Sequence, residues 1–85
     1  MSTVVLPKLT MSVASIAHPD ELETTVTLGG LGAPYVCSAR AALPPGGEAS
    51  LRMALELSVV RALHKLEHEM MERIHEGIDR ITDDV

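Results

Sequence analysis

The sequence predicts an α+β domain in which a three-stranded antiparallel β-meander is followed by one long C-terminal α-helix, in the order βββα. Two observations support this fold class. Three segments in the first half alternate apolar and polar residues with a period of two, and each ends at a cluster of turn-forming residues. The last third repeats apolar residues every three or four positions, which is the period of a helix face.

The three predicted strands cover about residues 6–16, 22–28 and 35–43. Leu9, Met11 and Val13 alternate with polar residues in the first strand, and Pro19 and Asp20 form the turn after it. A glycine-rich loop at residues 29–34 separates the second and third strands, and residues 44–47 end the third. The alternation places two sets of residues on one face of their strand: Leu22, Thr24, Val26 and Leu28 in the second, and Tyr35, Cys37, Ala39, Ala41 and Leu43 in the third.

The predicted helix covers about residues 49–81 and is followed by a polar tail at residues 82–85. Glu48 or Ser50 can cap its start, where a side-chain oxygen accepts hydrogen bonds from free backbone amides. A helix of this length is roughly 45 Å long, so its C-terminal turns are expected to extend beyond the sheet. The expected core contains Leu55, Val59, Leu63 and Leu66 of the helix with Met11, Val13, Val26 and Leu28 of the strands.

The first half of the helix has apolar residues on two faces, which predicts assembly with a second copy of the chain. At 85 residues the chain forms a single domain, and a domain this small buries only about 60% of its unfolded surface. One apolar face can pack on the sheet, and the other is left for a partner. The expected contacts in a homodimer or higher oligomer are Met53, Leu57, Val60 and Met71. The open alternative is that the strands wrap the helix more fully.

Composition disfavours several other classes of protein. The net charge is −5, the seven basic residues are scattered, and Tyr35 is the only aromatic residue, so nucleic-acid binding is not expected. No segment approaches the roughly 18 apolar residues of a membrane span, and no signal peptide is recognisable, so a cytoplasmic protein without membrane contact is expected. Cys37, the single cysteine, is expected to be a small buried hydrophobe. No cofactor and no enzymatic activity are predicted.

The helix contains one pattern that resembles a metal-binding motif. His64 to His68 spell H-x-x-E-H, in which two histidines lie one helical turn apart. Glu72 and His75 form an E-x-x-H pair further along. The main interpretation is an exposed polar face, because the chain lacks a distant element that could supply a third ligand. The alternative is a metal site, shared across an oligomer, formed from His64, His68, Glu72 and His75.

Two segments carry a resemblance to a known family. Residues 56–66, ELSVVRALHKL, and residues 35–44, YVCSARAALP, resemble the helix and third strand of small actinobacterial proteins associated with dormancy and hypoxic stress. These proteins have a double-stranded-RNA-binding-domain-like fold. The resemblance implies a homodimer, with another protein or the resting ribosome as a further partner. The start of this helix lacks the lysine cluster with which double-stranded-RNA binders contact phosphates.

Three function hypotheses follow from the sequence. The first is a small non-enzymatic interaction protein that oligomerises through its helix, with a stress- or ribosome-related role by resemblance. The second is a structural assembly component, such as a phage or compartment building block. The third is a metal-binding protein that uses the His/Glu face of the helix.

Overall fold

The fold is the predicted α+β arrangement of three antiparallel strands followed by one long helix. The computed structural model describes residues 3–83, with the side chains of residues 3–78. Its elements, in chain order, are β1 (Thr10–Ala17), β2 (Glu21–Gly29), β3 (Tyr35–Ala42) and α1 (Gly47–Asp83). The strands form one sheet of order β1-β2-β3, with β2 paired antiparallel to both neighbours. This confirms the predicted fold class.

The element boundaries differ from the predicted ones at both ends of the chain. β1 begins at Thr10, which pairs with the last residue of β2, Gly29, so the residues before it have no strand to pair with. Residues 3–9 therefore form no regular secondary structure, although the sequence predicted a strand from residue 6. α1 continues through Gly77 to Asp83, two residues beyond its predicted end. Of the predicted polar tail, residues 84 and 85 lie outside the described residues.

The turns are closed by short backbone hydrogen bonds. The His18 amide donates to the Glu21 carbonyl oxygen at 2.8 Å, which closes the turn between β1 and β2. The Leu43 amide donates to the Asp20 carbonyl oxygen at 2.9 Å and ties the end of β3 to the same turn. After β2, Gly30 has a φ of 108°, and a β-carbon there would collide with the Lys8 carbonyl oxygen, so the position requires glycine.

The core lies between α1 and the strands β2 and β3. α1 buries a row of residues spaced by four: Ala54, Ser58, Ala62 and Leu66. The small residues in this row allow the helix backbone to approach the sheet closely. The strands contribute the faces predicted for them, since Leu22, Thr24, Val26, Leu28, Tyr35, Cys37, Ala39 and Ala41 are all buried, and only Leu43 at the end of the third face is less so.

Half of the predicted core residues are exposed instead of buried. Leu55 and Leu63 of the helix are each 38% exposed, and Met11 and Val13 of β1 are 53% and 49% exposed. Val59 is intermediate, while Leu66, Val26 and Leu28 are buried as predicted. The reason is the position of α1, which packs across β2 and β3 and leaves all of β1 exposed. The prediction that Met11, Val13, Leu55 and Leu63 belong to the core was therefore wrong.

A chain of hydroxyl groups connects β1, β2 and α1 through the core. The Ser58 hydroxyl donates to the Leu55 carbonyl oxygen at 2.8 Å, so its oxygen accepts from the Thr24 hydroxyl at 2.6 Å. Thr24 in turn accepts from the Ser15 hydroxyl at 2.7 Å, because each hydroxyl has only one proton to donate. Thr24 and Ser58 are fully buried, and these bonds satisfy them. They place Ser58 above the central strand.

The folded chain is extended for its mass. Its Cα radius of gyration is 17.5 Å, whereas a compact domain of this length has about 12 Å. Its accessible surface is 6637 Å², whereas a compact monomer of 9.1 kDa exposes roughly 4,900 Å². The excess arises from the uncovered β1, the apolar segment before it and the part of α1 that extends past the sheet.

Candidate functional site

The side chains of α1 over residues 51–66 fall into rows that are defined by its contacts with the sheet. The buried row, Ala54 to Leu66, faces β2 and β3. Arg61 and Lys65 contact the backbone of β3, which identifies the β3-side row. Helix geometry then places the opposite flank toward β1 and the remaining row away from the sheet. The β3-side row is Met53, Leu57, Arg61 and Lys65, the β1-side row is Leu51, Leu55, Val59 and Leu63, and the outward row is Arg52, Glu56, Val60 and His64.

The free edge of β3 is covered by basic side chains of α1. Arg61 Nη1 donates to the Arg40 carbonyl oxygen at 2.9 Å, and Lys65 Nζ donates to the Ser38 carbonyl oxygen at 2.9 Å. Arg73 Nη1 reaches the Ala33 carbonyl oxygen at 3.2 Å, and its guanidinium lies 3.8 Å from the centre of the Tyr35 ring. These contacts occupy carbonyl oxygens that an edge strand would otherwise offer to another chain.

Sequence reasoning missed this arrangement, because it treated the basic residues as scattered. The spacing of Arg61, Lys65 and Arg73 by multiples of four was the available signal, since it places all three on one side of the helix. Each of the three side chains uses one donor on a backbone carbonyl oxygen.

Exposed apolar side chains of β1 and α1 lie toward the other edge of the sheet. Met11 pairs with Leu28 and Val13 pairs with Val26, so these two β1 side chains lie on the same sheet face as α1. The helix does not cover them, and helix geometry places the β1-side row of α1 on the same side of the buried row. We call this set the β1 surface; it consists of Met11, Val13, Leu51, Leu55, Val59 and Leu63. No charged residue belongs to it.

The four residues predicted as oligomer contacts are all exposed, but they do not form one patch. Their exposed fractions run from 43% for Leu57 to 71% for Met53. Met53 and Leu57 lie together beside Ala42 and Pro44 at the end of β3. Val60 belongs to the outward row, next to Arg61 and His64. Met71 lies three turns beyond Val60, so the structure brings together only the first two.

The predicted metal ligands remain on the exposed surface of α1. His68 Nε2 lies 3.2 Å from Glu72 Oε1, one turn further along, and both side chains are largely exposed. Among the residues that the structure describes, no three His, Cys, Asp or Glu side chains are grouped so that they could hold a metal ion. His64, His68, Glu72 and His75 therefore do not form a metal centre within one chain, and a site shared between chains stays a hypothesis.

Cys37 is buried on the core face of β3, as predicted. Burial raises the pKa of its thiol, and the nearby Glu69 carboxylate adds to the effect. A neutral thiol is a poor nucleophile. We expect the native protein to react slowly with iodoacetamide at pH 8 and the urea-unfolded chain to react at the rate of a free cysteine. Mass spectrometry over time measures both rates, and fast labelling of the folded protein would contradict the burial.

The sheet face away from α1 carries a polar cluster. Arg40 Nη1 donates to Glu21 Oε1 at 2.6 Å, and Arg40 Nε donates to Glu23 Oε2 at 3.3 Å. His18 Nε2 lies 3.3 Å from Glu23 Oε1. Beside them, the Thr25 and Ser38 hydroxyls are hydrogen-bonded at 2.6 Å. These polar groups satisfy one another, and the same face also exposes Ile16 and Val36.

Glu23 makes the stability of the sheet depend on pH. The hydrogen bond with His18, followed by the contacts with Arg40, lowers the pKa of the Glu23 carboxyl below its ordinary value. The folded state therefore favours the charged carboxylate. The contribution of Glu23 to the free energy of unfolding is present above the pKa that Glu23 has in the unfolded chain, and it is lost as pH falls through its pKa in the folded chain. We measure the free energy of unfolding by urea titration at pH 6 and at pH 3. We expect it to fall less between these two pH values in Glu23→Gln than in the wild type. An identical pH dependence in wild type and variant would contradict this role.

The fold and these surfaces define a small βββα domain with one protected sheet edge and one open, apolar edge. No known family, curated protein or solved structure matches the chain. Over the residues that the structure describes, α1 does not combine the length and apolar character needed to cross a bilayer.

Proposed function

We propose that this is a non-enzymatic interaction protein that assembles with itself through its long helix. The observation that carries the proposal is the excess of exposed surface. The chain exposes 6637 Å², about 1,700 Å² more than a compact monomer of its mass is expected to expose. Each partner in a standard protein–protein interface buries roughly 800 Å², so the excess on one chain is large enough to supply its side of such an interface.

The chemical character of the exposed surface supports the same proposal. Large aliphatic side chains are exposed on both flanks of α1, including Met53 and Leu57 toward β3 and Leu55 and Leu63 toward β1. Monomeric domains seldom leave contiguous apolar patches of more than a few hundred Å² in water. A partner that covers these flanks removes their apolar side chains from water. A second copy of the chain can be that partner, because it is present wherever the protein is.

The biological setting of the assembly rests on the resemblance alone. Residues 56–66 resemble the helix of dormancy-associated proteins, which supports a homodimer with a stress- or ribosome-related role in the cytoplasm. The exposed outward row and the polar sheet face are surfaces that stay available to a further protein partner after dimerisation.

Light scattering after size exclusion tests the proposal. Over a tenfold range of concentration, we expect a constant mass of twice 9.1 kDa. A mass of 9.1 kDa at every concentration would contradict self-assembly. Metal analysis of the same peak tests the shared metal site, which would appear as a stoichiometric ion that is lost in His64→Ala.

One observation favours a structural assembly component as a second candidate. The patch of Met53 and Leu57 near Pro44 and the β1 surface lie on opposite flanks of α1. Two separate apolar surfaces allow each copy to contact two others, so that growth does not stop at a dimer. This candidate predicts a mass that rises continuously with concentration in the same light-scattering experiment.

A further inference from the structure

We propose that the second copy docks at β1, so that the β1 strands of two chains pair antiparallel across a two-fold axis and join both sheets into one of six strands. This inference rests on the proposed self-assembly and names its surface. It assigns the contact to the open edge of β1 and to the β1 surface, and thus to a part of the molecule other than the patch at Met53 and Leu57.

The two edges of the sheet differ in a way that selects β1. The backbone of the β3 edge is occupied by Arg61 and Lys65, which donate to its carbonyl oxygens. On β1, no residue from Thr10 to Ala17 is charged, is proline, or is buried by another element. Long edge strands in monomeric proteins are ordinarily protected by charge, proline or a covering element. β1 has none of these protections over eight residues, so it can accept a strand.

The charge distribution selects a copy of the same chain as the partner strand. Across a two-fold axis, each residue near the axis meets the same residue of the other copy. A charged residue there would repel its own counterpart, and β1 has none. The β3 edge carries the positive charges of Arg61 and Lys65, which would repel their counterparts on a second β3 edge. Self-pairing is therefore permitted at β1 and opposed at β3.

The apolar surface beside β1 supplies the hydrophobic part of the contact. Met11 and Val13 are half exposed and stand on the same face as α1. In the six-stranded sheet, strand spacing of about 4.8 Å puts the Met11 and Val13 side chains of both copies next to each other. They fill the space between the two β1-side rows, in which Leu55 and Leu63 are each 38% exposed. One contact thus covers both the open edge and the exposed leucines.

Cross-linking at matched edge positions tests the pairing. In a Cys37→Ala background, Ser12→Cys and Val36→Cys place one thiol on β1 or on β3, at the same level of the sheet, because both residues pair with Thr27. Both positions are exposed on the face away from α1. With a short bismaleimide, we expect at least tenfold more cross-linked dimer for Ser12→Cys, or for Ala14→Cys nearer the strand centre, than for Val36→Cys.

The outcomes separate this inference from the proposed function. Equal cross-linking at Val36, or none at either β1 position while light scattering still reports a dimer, would overturn β1 pairing and leave self-assembly in place. A wild-type mass of 9.1 kDa would overturn both. The Cys37→Ala chain without an added cysteine is the control, and it must keep the wild-type mass and give no cross-link.

Discussion

Replacing Ala62 with glutamate is expected to unfold the domain. Ala62 is fully buried in the row by which α1 packs on the sheet, and it belongs to the same core cluster as Val26 and Leu66. A carboxylate at this position has no partner and no room. An uncompensated buried charge costs roughly 3–5 kcal/mol, which is a large fraction of the total stability of a domain this small. Far-UV circular dichroism should show loss of the cooperative thermal transition.

The matched control for Ala62→Glu is Val60→Glu. Val60 lies on the outward row of the same helix and is 60% exposed. The same charge there should leave the wild-type spectrum and a cooperative transition. If Ala62→Glu melts cooperatively within a few degrees of wild type, α1 does not pack on the sheet through this row.

Replacing Leu63 with glutamate is expected to leave the fold intact and to abolish self-assembly. Leu63 follows Ala62 directly, but it belongs to the β1 surface and is 38% exposed. In a β1-paired dimer, the new carboxylates of both copies would lie near the axis and would repel each other while losing contact with water. Light scattering should report 9.1 kDa for this variant, with the circular dichroism of the wild type.

Leu57→Glu is the matched comparison for Leu63→Glu. Leu57 is similarly exposed at 43%, but it lies on the opposite flank of α1. The sequence alone predicts that this residue is the interface, whereas β1 pairing predicts that Leu57→Glu keeps the wild-type mass. A monomeric Leu57→Glu beside a dimeric Leu63→Glu would place the assembly contact on the Met53 and Leu57 patch and would contradict β1 pairing.

The fold could be predicted from the sequence because each element has a distinct local signal. The alternation in β2 and β3 identified their buried faces correctly, since the register in a meander follows from short turns and a period of two. The long helix followed from its period and from the lack of a proline after Pro45. These signals lie within each segment and do not depend on how the segments pack.

The position of α1 on the sheet could not be predicted in the same way. Hydrophobicity favoured the leucine stripe with Leu55 and Leu63 as the buried face, but the helix buries Ala54, Ser58 and Ala62. Small residues permit close approach to the sheet, and the Ser58 hydroxyl satisfies Thr24. The hydropathy of the sequence predicts neither the close approach of the helix nor the hydrogen bond of Ser58. The leucines are left beside β1, where their apolar character indicates a contact between chains.

The β1 surface also results from the position of α1 on the sheet. The β1 surface combines residues that sequence reasoning had assigned to the core, such as Met11 and Leu63. Residues that a single chain leaves half exposed, on a face with core composition, are those that a partner would bury. The capping of the β3 edge by Arg61 and Lys65 is a tertiary contact across more than twenty residues, so no local pattern reported it.

Amide hydrogen exchange in β1, followed across protein concentration, is the most direct test of the account. In an isolated chain, every second amide from Thr10 to Ala17 points away from β2 and exchanges freely. If β1 pairs with a second copy, these amides should exchange at least tenfold more slowly in the dimer, and they should lose protection on dilution. Free exchange of the same amides in a particle that light scattering shows to be dimeric would contradict the pairing of β1 between two copies.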